Sequence, residues 1–168
     1  MSQVGSFGVN YKKTFADPST STSGVPLPVP AGTVGSLIEG DFVFVQADGA
    51  IDQYAFVKIE ADGQAAMLQT TNAGSNALLV GVAQVAAADN EYLWVWIGGP
   101  MGGGVGKGIR GKVAAGFVAK ANLNTTSSAT PGVADDASTT LIKGGVGLAS
   151  TTPAAAVELG SVDHLRVN

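Results

Sequence analysis

From Leu37 onward the chain is a succession of short apolar runs separated by turn signals. "DFVFVQ" leads into Ala47-Asp48-Gly49 and "YAFVKIE" into Ala61-Asp62-Gly63, two units fourteen residues apart. Asp-Gly between alternating residues favours the mirror-image turns that join antiparallel strands, so each unit predicts a hairpin. "AAMLQTT", "ALLVGVAQVA" and "EYLWVWIGG" follow, and later runs centre on "KVAAGFVAK", "TTLIKGGVGLAS", "AAVELGS" and "HLRVN". No convincing long amphipathic helix interrupts them. Strands at intervals of roughly 8 to 14 residues predict an all-β domain, a small antiparallel barrel or sandwich. "YLWVWI" is apolar on both faces, with Tyr92, Trp94 and Trp96 on one and Leu93, Val95 and Ile97 on the other. Such a strand is central between two layers, or else turns one face to another subunit.

Residues 14–36 break this pattern. They hold Pro18, Pro26, Pro28 and Pro30 among Ser, Thr and Gly, and the last three prolines alternate with Val25, Leu27 and Val29. Alternating prolines fix an extended backbone that has few donors. The apolar residues between them favour an arm lying along a neighbouring molecule over a disordered tail, since disordered linkers are polar. The expected organisation is an extended arm over 1–36 and a β domain over 37–168. Deleting residues 1–34 is then expected to weaken attachment and leave the β domain folded.

Composition narrows the function. The chain has 168 residues and no cysteine, which excludes disulfides and thiolate metal sites. With 13% charged residues and a net charge of −4, it lacks the clustered cations that neutralise phosphates, so no nucleic-acid partner is expected. Lys107, Arg110 and Lys112 form the densest basic group and have no interleaved aromatics. No apolar run reaches the roughly 18 residues of a membrane span. A chain with so little charge and a mildly positive mean hydropathy must hide apolar surface, and partner subunits are the natural place.

"GGPMGGGVGKGIRGK", residues 98–112, resembles a phosphate loop only superficially. A P-loop needs a glycine five positions before its Gly-Lys pair and a Ser or Thr after the lysine; those positions are Met101 and Gly108. A dinucleotide fingerprint fits Gly106, Gly108 and Gly111, but no strand leads directly into it and Gly116 interrupts any helix that follows. No cofactor is expected. The loop leaves the most apolar strand through Pro100 and Met101, so part of it, Gly103 and Gly104 included, is expected to pack against another subunit, with Lys107 and Arg110 at a solvated rim.

Candidate chemistry is sparse. His164 is the only histidine, with no nucleophile elbow or second base in recognisable relation to it; it reads as lying with Arg166 on the polar face of a terminal strand. Asp135-Asp136 lacks the oxygen-ligand spacing of a calcium loop and reads as a turn. Asn124-Thr125-Thr126 fits a glycosylation acceptor. No catalytic or metal-binding residue is assigned.

The succession Gly81-Val82-Ala83, Tyr92 with Trp94-Val95, Thr125-Thr126, Gly132 with Asp135-Asp136, and Gly144 to Leu148 resembles the capsid decoration, or cement, proteins and small head proteins of tailed bacteriophages, over roughly residues 77–150. That resemblance implies a virion-associated, non-enzymatic β-barrel, homo-oligomeric with a trimer favoured, that clamps major capsid protein subunits. The alternative is a carbohydrate-binding head fibre or adhesin module using Tyr92, Trp94 and Trp96.

Overall fold

The computed structural model describes residues 9–19, 27–73, 79–100, 102–126, 129–137, 140–152 and 154–167; Val25 and Met101 lie outside them. The chain forms β1 (Thr14–Phe15), β2 (Val34–Leu37), β3 (Gly40–Ala47), β4 (Phe56–Ile59), β5 (Gln64–Met67), β6 (Leu79–Ala83), β7 (Tyr92–Gly98), β8 (Arg110–Val113), β9 (Asn122–Thr125), β10 (Ala134–Asp135), β11 (Leu141–Gly147) and β12 (Ala155–Val167). There is no helix among the described residues. The all-β fold expected from the run spacing is the fold observed.

The strands close into two rings of five. In the first, β3 pairs with β7 and β5, β5 with β4, β4 with β6, and β6 returns to β7. In the second, β8 pairs with β12 and β10, β10 with β9, β9 with β11, and β11 returns to β12. Numbered within each ring, the pairing order is the same, and so are the directions: only the first and third strands run parallel. Registers coincide as well. Ala47 faces Ala65 in one parallel pair and Val113 faces Ala134 in the other, while Leu93 opposite Val45 matches Val157 opposite Gly111. Tyr54 and Lys120, two of the three non-glycine residues at positive φ among the described residues, occupy the same turn in each ring, their amides donating to Ala83 and Gly147. The chain is thus an internal duplication of one small barrel.

The interiors match by volume, not by identity. Val43, Val45, Ile51, Val57, Ala83, Leu93 and Val95 fill the first ring. Where that ring has Ile51 and Ala83 in one cluster, the second has the larger Phe117 against Gly147, whose absent Cβ leaves room for the ring edge. Gly111, the counterpart of Val45, is overlain by the Phe56 ring from the first barrel. β12 joins the barrels: beyond Glu158 it leaves β8, and its far half runs beside β6 and β7, with Arg166 opposite Leu79 and His164 opposite Gly98. Gly144, at positive φ where a Cβ would meet the His164 carbonyl at 2.5 Å, allows this bend.

Three sequence expectations need correction. Asp62-Gly63 turns a hairpin between β4 and β5, but Asp48-Gly49 does not: β3 and β4 are unpaired, and the Gly49 amide is held by Asp89 at 2.8 Å. β3 pairs instead with β7, which satisfies its two buried faces better than the short β4 could. "AAVELGS" and "HLRVN" are one bent strand. The described part of 1–36 is not a free arm, and the boundary after residue 36 falls inside β2. β1 pairs with β7, Tyr11 stacks on Phe42 with centroids 4.9 Å apart, and Phe15 meets Phe44 edge-on at 5.5 Å. Leu27 and Val29 also pack on this cluster. These residues cover the outer aromatic face of the first barrel, which water would otherwise reach.

Candidate attachment surface

Ile38 and Glu39 form the two-residue turn between β2 and β3. The turn is anchored from behind. The Trp96 indole Nε1 donates to the Glu39 carbonyl at 2.8 Å, the Gly103 amide donates to the same oxygen at 2.7 Å, and Lys107 Nζ donates to the Ile38 carbonyl at 3.1 Å. Gly40 follows at φ 120°, where a side chain would collide with Trp96 and the Gly98 carbonyl.

The glycine-rich loop is built into the same anchor. The Ser161 hydroxyl meets the carbonyls of Gly99 and Gly102 at 2.9 and 3.2 Å, the Gly104 amide donates to Leu159 at 2.8 Å, and the Gly106 amide donates to the Glu158 carboxylate at 3.0 Å. These amides already serve protein acceptors, one of them a carboxylate that would repel an incoming phosphate. Gly103 is buried against β12 and Trp96, so the close backbone approach it permits is to Leu159 of its own chain. Gly104 is half-buried and Pro100 exposed.

The loops present apolar side chains outward. Ile38 is 79% and Val105 83% exposed, and Leu37 and Val34 are exposed beside them on β2. Lys107 sits half-buried between the loops, tied to the Ile38 turn, while Arg110 is exposed on β8.

At the foot of the hairpin Asp41 accepts from the Ser36 hydroxyl at 2.5 Å and lies 2.8 Å from His164 Nε2. These two contacts, Ser36 first, hold the Asp41 carboxyl below the usual carboxylate range. Asp163 is lowered in the same way, by the His164 amide and then by Arg166. Ser36 donates to the carboxylate and not to the imidazole, so the contacts run Ser36–Asp41–His164 and not in the hydroxyl–imidazole–carboxylate order of a serine-hydrolase relay. His164 and Arg166 do lie together on β12, but the partner that defines His164 is Asp41, on a strand distant in sequence, and no local spacing betrays that pairing.

Trp94 and Trp96 are both buried, so Tyr92, Trp94 and Trp96 form no exposed platform for a sugar ring. Leu27 and Val29 are inward packing residues. Asn124, Thr125 and Thr126 are buried, which closes the acceptor sequence to modification in the folded chain, and Asp136 caps a turn by accepting from the Val118 amide. Sequence reasoning missed Ile38 and Val105, whose exposure follows from tertiary anchoring and leaves no periodic trace. Comparison with family models, curated proteins and solved structures finds no match.

Proposed function

We propose that this chain is a non-enzymatic virion protein, a cement or decoration protein that sits on the outer surface of a phage capsid and strengthens contacts between major capsid protein subunits. The observation that carries this reading is the pair of mutually anchored loops holding Leu37, Ile38 and Val105 in solvent. Apolar side chains on a pre-organised support lose little entropy on docking, so a small patch binds better than its area implies. Repetition over many identical capsid sites, with self-association of the chain, multiplies a modest contact. A trimer is the preferred assembly, by analogy with the family the sequence resembles.

Ile38→Asp with Val105→Asp tests the reading. Both positions are solvent-facing, so the variant is expected to keep its melting temperature and to lose at least about tenfold in affinity for undecorated capsids measured by co-sedimentation. Absence of saturable co-sedimentation by the unmodified protein would defeat the proposal.

A further inference from the structure

The duplication allows the two barrels to be compared position by position, and the largest departure lies on the outer face of the second. There the fifth strand carries Gly160 where the first barrel carries Trp96, and the second strand carries Asn122 where the first carries Phe56; Val146 and Val82 correspond. In the first barrel these large side chains are fully buried. In the second the same face opens as a cleft of about 360 Å³ bounded by Asn122, Gly145, Val146, Gly160 and Val162, and Leu148 flanks Gly160.

Gly160 is not glycine for backbone reasons. Its φ lies outside the left-handed region, and a Cβ there would make only ordinary contact, at 3.4 Å, with Leu148. A glycine inside a strand weakens it relative to alanine, so what the position gains is empty space above it. Val162, 83% exposed at the rim, adds an apolar wall that nothing in this chain covers among the described residues.

We infer that this cleft is a socket for an aromatic side chain of a partner protein, which takes the place that Trp96 takes in the first barrel. The described part of a second copy of the chain offers no exposed aromatic side chain, since each one there is buried or half-buried. That the partner is the capsid protein rests on the function proposed above; the socket itself does not.

The probe is N-acetyl-tryptophanamide titrated into the full chain with labelled Val and Leu methyls. Saturable shifts confined to Val146, Leu148 and Val162 are expected. Gly160→Trp supplies the missing side chain from within and is expected to abolish them while the fold is kept. Val162→Asp, at a position too exposed to disturb the core, is expected to weaken the probe even if Gly160→Trp misfolds. No saturable shift in the unmodified protein, or the same shifts in a folded Gly160→Trp, would overturn the socket. On capsids, folded Gly160→Trp is expected to lose at least about tenfold in affinity, and undiminished binding would overturn the assignment of the partner. If the unmodified protein does not bind capsids at all, the cement reading falls and the probe still decides the socket.

Discussion

Glycine means different things at neighbouring positions of this chain. Gly103 has φ 65° and its missing Cβ points at the Leu159 carbonyl, whereas Gly104 has φ 114° but no atom nearer than Lys107 Cγ at 3.7 Å, and Gly106 faces open space. Gly103→Ala therefore combines a left-handed backbone with a steric clash and is expected to cost about 2–4 kcal/mol in urea unfolding; Gly106→Ala is expected to cost only the strain of its positive φ, about 1 kcal/mol. The glycine run was conspicuous in the sequence, yet which glycine is indispensable was not, because the atom that decides it belongs to β12. Asp41 and Asp163 carry a second residue-scale consequence. Both have lowered pKa values, so the unfolded chain binds more protons than the folded one between their folded values and the ordinary carboxylate value of about 4. Their stabilisation is complete above that value and is lost as the pH falls through the folded pKa. Asp41→Asn with Asp163→Asn should flatten the rise of the urea midpoint between about pH 2 and pH 5, and an unaltered slope would show that neither contact matters.

Elements were legible wherever a run's own periodicity decided its burial. β7 announced two buried faces, and its odd and even residues do enter different clusters, Leu93, Val95 and Ile97 inside the first barrel and Trp94 and Trp96 outside it. The Asp62-Gly63 hairpin was legible because its partners are adjacent. Asp48-Gly49 carries the same local signal and fails, since the long β3 finds a better partner far along the chain. The N-terminal segment was misjudged for a related reason: prolines fix an extended backbone but do not say what it lies against. It lies on Phe42, Phe44 and Trp94, so deletion of residues 1–34 is expected to uncover this face, lower the melting temperature by at least about 10 °C and increase binding of a hydrophobic dye. A truncated protein with unchanged stability would restore the independent arm.

At the scale of the whole molecule, the sequence hid the duplication almost completely. The equivalent pairs Phe44 and Arg110, Trp94 and Glu158, and Trp96 and Gly160 share no chemistry, because one barrel turns that face to the N-terminal segment and, at Trp96, to Glu39 and Gly103, and the other turns it to solvent or to the cleft. What the halves share is a pairing order that includes a parallel contact, and such long-range pairing has no local signature. The capsid reading belongs to this scale as well, since it depends on a presented surface and not on any single reactive group.

The bent β12 has a further consequence, for the order of events as the chain emerges from the ribosome. Every strand that β12 contacts precedes it, so the first ring can close when β7 appears, while the second must wait with β8 and β11 unsealed until Val167 is out. Until then the apolar edges of a half-built barrel stand beside a finished barrel of the same topology, a setting in which one chain's strands can seal another's ring. A nascent chain halted when residue 100 has just left the ribosome is thus expected to protect β3 to β7 from protease, and one halted when residue 150 has just left it is expected to protect no more than that. Protection of β8 to β11 in the second would mean that this barrel does not need its closing strand.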